Sequence, residues 1–225
     1  MTSCLANDWN WGRIKGVTFD VGGTLIEPWP SVGHVYAAVA AEFGVRGLEP
    51  DALTRAFVSA WQGRVHFNYS QREWFEIVRL TFGARAGELP EAFFPAVYQR
   101  FARPDAWRIY EDVRPALAAL SARGFRLAAV SNWDERLVPL LGRLGLDEYF
   151  DALVVSCEAG HTKPAPEIFH LAARRLRLEP NQVLHIGDSE REDVQGAMAA
   201  GLRARRIDRR GNGDLRTLIA PLLGG

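Results

Sequence analysis

Asp20 closes an apolar run, residues 14–19, and is followed by Val21, Gly22, Gly23, Thr24 and Leu25. That order puts a carboxylate at the carboxyl end of a strand, running into a turn. Ser131 follows the run 126–130, Lys163 precedes a segment led by prolines, and Asp188 and Asp193 follow the run 183–187. Four chemically different sites thus follow four strand-like segments. In open α/β sheets such strand ends converge on one crevice. The types assembled there are a nucleophilic carboxylate, a hydroxyl, an ammonium and a carboxylate pair suited to a metal, around a hole the size of a phosphoryl group.

The elements that must position these residues are legible from apolar spacing. Residues 32–43, 51–62, 73–82 and 91–101 repeat apolar side chains every three or four positions, which predicts four consecutive helices with no strand between them. From Tyr110 the pattern alternates. Helices are expected at 113–123, 137–144, 166–176 and 193–200, and strands at 126–130, 153–155, 183–186 and 204–207. Repeated βα units imply a parallel sheet with right-handed crossovers. The expected fold is therefore α/β: a Rossmann-like core of 14–27 and 107–225, an inserted all-helical cap over 28–106, and a tail over 1–13. Gly124, Gly145 and Gly201 each follow a predicted helix, where a left-handed residue often ends it.

At these positions the chain resembles the haloacid dehalogenase superfamily, in particular members with a helical cap inserted after the first motif. The resemblance runs through Asp20 to Leu25, Tyr110 to Leu117, Ser131-Asn132-Trp133-Asp134, Lys163-Pro164, and Gly187-Asp188-Ser189 with Asp193, Gly196 and Ala197. It covers roughly residues 14–208, and four motifs in order are more specific than any one. It implies an aspartyl-phosphate formed at Asp20, an approach to a nucleophile that splits a hard displacement into two easier ones. It also implies Mg²⁺ held by Asp20, the carbonyl of Gly22, Asp188 and Asp193, the last directly or through water. Such a hard ion suits oxygen ligands and relieves the repulsion among the acids. Ser131 and Lys163 are expected to bind and stabilise the phosphoryl oxygens, with Asn132 as a further substrate contact. The implied substrate is a small phosphorylated metabolite.

One departure outweighs the matches. Most phosphatases of this family carry a second Asp two residues after the first, as the acid that protonates the leaving alcohol and the base that activates water. This chain has Gly22 there. A carbonyl ligand survives the loss of a side chain, whereas a proton donor does not. Two readings stay open: a weak Mg²⁺-dependent phosphatase, and a phosphate-binding or regulatory protein that has lost turnover. A Schiff-base phosphonate hydrolase is disfavoured because residues 28–106 contain no lysine. Dehalogenase chemistry is disfavoured by the acidic Asp188, and a mutase by the missing proton relay.

Other residues are weaker candidates. Thr24 is a turn hydroxyl with a supporting role, Trp133 either covers the phosphate site or packs, and Asp134 is expected to cap the next helix. His34, His66, His161, His170 and His185 show no ligand spacing. Among cap residues His34 and Arg46 are the candidates for a substitute acid or an anion clamp.

Bulk composition narrows the classes. The 225 residues carry 27 basic and 27 acidic side chains, which disfavours nucleic-acid binding despite the cluster Arg203, Arg205, Arg206, Arg209 and Arg210. No apolar run of about 18 residues suggests a membrane span, and Met1 to Gly12 does not read as a secretion signal. Cys4 and Cys157 indicate neither a disulfide framework nor a zinc site. The chain reads as soluble and cytoplasmic, with an oligomeric state the sequence does not specify. Lys15 and Lys163 are the only lysines, so an ammonium at Lys163 stands out against a background of guanidinium groups.

Overall fold

The computed structural model describes residues 11–64 and 67–224. Its strands are β1 (Gly16–Phe19), β2 (Ile26–Pro28), β3 (Trp107–Ile109), β4 (Arg126–Ser131), β5 (Ala152–Val155), β6 (Val183–Gly187) and β7 (Arg203–Arg206). The helices are α1 (Val32–Glu42), α2 (Pro50–Gln62), α3 (Gln71–Phe82), α4 (Phe93–Arg100), α5 (Val113–Ala122), α6 (Leu137–Arg143), α7 (Ser156–Ala159), α8 (Pro166–Arg175), α9 (Gly196–Ala199) and α10 (Leu215–Leu223). By contact density the chain divides into two units. One comprises Met1–Leu25, of which residues 11–25 are described, with Glu111–Ser131 and Leu146–Gly225; the other comprises Ile26–Tyr110 and Asn132–Gly145.

The first unit is built on a five-stranded parallel sheet in the order β5-β4-β1-β6-β7. β1 and β6 are buried at every position, as expected of strands covered on both faces, and their near-continuous apolar runs follow from that. The chain steps outward from β1 to β4 and β5, then returns to place β6 and β7 on the other side of β1. Strand order reverses around β1, which puts the crevice for a ligand beside its carboxyl end. Two helix pairs cover the sheet, α8 with α9 and α5 with α10. Pro166 starts α8 at a position where its missing N–H costs nothing, and Ile168, Phe169, Ala172 and Ala173 carry its buried stripe. These residues join Val130, Val154, Val183 and Ala204 from the strands in one core. Trp11–Arg13 form a single 3₁₀ turn, and the Arg205 guanidinium lies over the Trp11 ring, 4.6 Å from its centroid. The rest of the expected tail, residues 1–10, lies outside the described residues.

The second unit holds α1 to α4 around a core of Tyr36, Val39, Leu53, Val78, Phe82, Phe93, Phe94 and Val97. Ser31 caps α1 and Ser70 caps α3, each accepting a backbone N–H three residues on, which satisfies donors that a helix start leaves without intrahelical partners. At the two boundaries of the expected insertion 28–106, β2 and β3 form a two-stranded antiparallel ribbon, with Ile26 opposite Ile109. The grouping also adds Asn132–Gly145, a segment that the sequence assigned to the βα repeat. Its side chains explain this. Asp134 pairs with Arg136 at 2.6 Å and accepts from Trp74 Nε1 at 2.7 Å. Arg136 in turn donates to the Tyr98 carbonyl at 2.7 Å, the Tyr98 hydroxyl donates to Glu135 at 2.8 Å, and Arg143 donates to the Ala102 carbonyl. The expected cap at Asp134 is accordingly corrected: it is a buried ion-pair acid, although Oδ1 also accepts the Arg136 backbone N–H. No helix among the described residues is long and apolar enough to cross a membrane.

Candidate active site

Asp20 follows β1 directly, and its backbone N–H still bonds to the β6 carbonyl of Ile186. The side chain is nearly buried. Its Oδ1 accepts from Lys163 Nζ at 2.5 Å and from the Ser131 hydroxyl at 3.2 Å. Oδ2 lies 3.5 Å from the Thr24 hydroxyl, at the weak limit of a hydrogen bond. Ser131 is the last residue of β4, next to β1 in the sheet, so register delivers its hydroxyl to Asp20. Lys163, whose bond to Pro164 is cis, also donates to Asp193 Oδ1 at 2.5 Å. Asp188 follows β6 and is the more open of the three acids, while Asp193 is buried. Carboxylate oxygens of Asp20, Asp188 and Asp193 all lie within 4.8 Å of one another.

Three acids this close repel. Burial leads in raising the Asp20 pKa; the Lys163 charge opposes it and Asp193 adds to it. Burial, then the charges of Asp20 and Asp193, push Asp188 up to about 7. Burial alone would raise Asp193, but the Lys163 charge and the His185 hydrogen bond outweigh it and hold Asp193 below the ordinary carboxylate range. Lys163 goes the other way: its two carboxylate partners overcome burial and raise it. Lys163 thus brings one positive charge to three carboxyl groups. An oxygen-only donor set with surplus negative charge fits a hard divalent cation, which Asp20, Asp188 and Asp193 could hold.

This arrangement gives a pH signature. Asp188 binds its proton better folded than unfolded, so its contribution to stability is complete below its unfolded pKa near 3.8 and is lost as the pH rises through about 7. Chelator-treated protein is expected to unfold at lower denaturant near pH 8 than near pH 6. If the three acids hold Mg²⁺, added Mg²⁺ is expected to raise the midpoint more at the higher pH, since a cation there would displace the Asp188 proton. A magnesium effect that is the same at both pH values contradicts this pairing.

Glycines make the site possible. Gly23, at φ +76°, would place a Cβ 2.7 Å from Asp188 Oδ2, and Gly187 would place one 2.2 Å from Asp193 Cγ. Asp193 therefore sits over the bare backbone of Gly187. Gly187→Ala is expected to displace it at a cost of about 1–3 kcal/mol, the usual range for overpacking, read as a fall in thermal midpoint. Gly196 in the same way admits Pro164 and Phe169.

Gly22 lies half-buried in the turn after Asp20. Asn132, next in the chain after Ser131, is grouped with the second unit, as is Trp133, which packs on Trp107 at 5.1 Å between ring centroids. His34 is exposed and hydrogen-bonds Ser31; Arg46 is exposed and offers its carbonyl to Arg85. His170 binds the Ala200 carbonyl, His161 is exposed, and His66 lies outside the described residues.

Two residues to which the sequence alone assigned no role at this site are His185 and Arg209. His185 on β6 is buried and reaches Asp193 through Nε2 at 3.1 Å. Its place two residues before Gly187 on the same strand face was the available signal. Arg209 donates to the Thr24 carbonyl through Nε at 3.0 Å and Nη2 at 2.6 Å, and to Asp112 at 2.7 Å. It braces the turn after Asp20 from far along the chain, and no local pattern announces it. The helix expected over 193–200 also differs: Glu190–Gln195 is a π-helix capped by Ser189, and only Gly196–Ala199 is α-helical. Asp193 folds back to accept the Ser189 N–H at 2.9 Å. Such wide turns recur at functional sites.

The parallel sheet and its strand-end acids define a Rossmann-like α/β protein. Residues 14–201 match the haloacid dehalogenase-like hydrolases, and the chain belongs to that family. Among its relatives, haloacid dehalogenase-like hydrolase domain-containing protein 3 of Homo sapiens is 34% identical over 204 residues, 85% of this chain and 81% of that one. A glyceraldehyde 3-phosphate phosphatase of Methanopyrus kandleri is 42% identical over 209 residues, 87% of this chain and 84% of that one. A solved phosphatase of the family from Thermococcus onnurineus aligns with a TM-score of 0.66 at 27% identity, over 93% of this chain and 98% of its own.

Proposed function

We propose that this chain is a slow Mg²⁺-dependent phosphatase of small phosphorylated metabolites, working through an aspartyl-phosphate at Asp20. The observation that carries the reading is the double hold on one Asp20 oxygen, by the Lys163 ammonium and the Ser131 hydroxyl, beside an acid pair that favours a cation. Asp20 attacks phosphorus as the bond to the leaving oxygen breaks, the leaving group departing as its anion, and water then cleaves the aspartyl-phosphate to release inorganic phosphate and restore Asp20. Lys163 and Ser131 hold the phosphoryl oxygens, as preorganised donors do in phosphoryl transfer. Mg²⁺, when bound, neutralises the charge that builds on those oxygens. Asp20, the Gly22 carbonyl, Asp188 and Asp193 are its proposed ligands, with Asp193 direct or through water. Asn132 is a proposed further substrate contact, and the insertion 28–106 is the proposed seat of substrate choice.

Gly22 offers no proton, so the reading favours esters whose leaving group departs as an anion. The same residue favours a second reading, a phosphate-binding or regulatory protein without turnover. A screen of glyceraldehyde 3-phosphate, sugar, nucleotide and glycolate phosphates and an aryl phosphate, with and without Mg²⁺, separates them. Magnesium-dependent release of phosphate supports the first; binding with no release from any ester supports the second.

A further inference from the structure

His185 is completely buried, yet both its ring nitrogens are paired. It stands in register with Thr18 across the β1–β6 pair, its Nδ1 lies 2.8 Å from Thr18 Oγ1, and its Nε2 lies 3.1 Å from Asp193 Oδ1. The ring meets Phe169 edge to face at 5.1 Å. A carboxylate only accepts, so Nε2 carries the proton and donates, which leaves Nδ1 to accept from the Thr18 hydroxyl. An apolar residue would fill this space without the desolvation cost of an imidazole, a cost that only paired nitrogens offset.

Asp193 Oδ1 is also the atom that holds Lys163, while Oδ2 takes the Ser189 N–H. Three donors from three directions fix this carboxylate. Two of them, Lys163 and Ser189, sit on the segments after β5 and β6, outside the regular strands. His185 is the donor that is part of the sheet itself.

We propose that His185 is a positioning residue: through Nε2–H it ties Asp193 to the sheet, and through Asp193 it sets where the Lys163 ammonium stands against Asp20. The imidazole touches no substrate and transfers no proton; it conveys the rigid β1–β6 register to the ammonium. This rests on the phosphatase reading, in which a small misplacement of a stabilising group costs much of the rate.

The test compares His185→Phe, which keeps the packing on Phe169, with His185→Gln, which keeps a donor. With an aryl phosphate and Mg²⁺, His185→Phe is expected to lower kcat by about 10- to 100-fold with KM nearly unchanged, and His185→Gln to recover most of that loss. A second readout needs no turnover. Because Lys15 and Lys163 are the only lysines, the buried ammonium resonance is readily assigned by nitrogen NMR, alongside the His185 tautomer. The Phe variant is expected to shift or broaden the Lys163 signal, and the Gln variant to leave it close to that of the unsubstituted protein. An unchanged kcat in the Phe variant, equal losses in both variants, or a His185 protonated at Nδ1 alone overturns the proposal. If the Phe variant does not fold, His185→Leu is used with the same two readouts: kcat is expected to fall by about 10- to 100-fold and the Lys163 signal to move, and an unchanged kcat overturns the idea. Should the unsubstituted protein release no phosphate, the phosphatase reading fails, while the lysine and histidine spectra still decide this one.

Discussion

Asp20→Asn is expected to lower phosphate-ester turnover by about 10⁴-fold or more, the scale of loss when a nucleophile that works within a unit is removed, with the fold retained. The variant is nearly isosteric and removes a buried charge whose ionised form burial already disfavours. Lys163 keeps its pairing to Asp193, so no ammonium is stranded in the core. The loss should therefore fall on chemistry. Turnover is measured with a good leaving group so that proton supply does not limit the comparison, and thermal unfolding is followed in parallel. Turnover within tenfold of the unsubstituted protein would mean that Asp20 is not the nucleophile.

Gly22→Asp is expected to do the reverse, raising hydrolysis of an alkyl phosphate by about 10² to 10⁴-fold, the usual contribution of general acid–base catalysis. At 1.36 kcal/mol per decade this is about 3–5 kcal/mol of barrier. The gain should be selective. An aryl phosphate leaves without a proton, so its first step gains little, and only the water attack that follows should quicken. The ratio of alkyl to aryl release in the first turnover is the informative quantity, because steady turnover of the aryl ester reports the water step instead. A ratio that does not rise in Gly22→Asp shows that the slow step lies elsewhere than in the missing acid.

Much of the sheet was legible because its signals are local. An apolar run ending in Asp20, another ending in Ser131 and a third ending before Asp188 mark strands buried on both faces, and the alternation with helices implies that they lie parallel. The structure brings Asp20, Ser131, Lys163, Asp188 and Asp193 to one end of that sheet. What stayed hidden depends on pairing between distant residues. Trp74 and Asp134 are 60 positions apart, and their bond helps to group Asn132–Gly145 with the helical unit, against the order of the motifs. β2 and β3 are three residues each, too short for a period to register. His185 reads alone as one apolar-strand histidine among five scattered ones, and its meaning comes from Thr18 opposite it in register. The π-helix that carries Asp193 is a matter of one extra residue in a turn, which composition does not record.

A covalent bond between Asp20 and phosphorus is the step on which the proposed reaction depends. Gly22 leaves water without a side-chain base at this position, so the second step should be slower than the first for an aryl phosphate. Rapid mixing of the protein with such an ester and Mg²⁺ is expected to give a burst of about one aryl alcohol per chain, with an acid-quenched sample carrying one phosphoryl group on the peptide that contains Asp20. Steady release of phosphate with no burst and no modified peptide contradicts it.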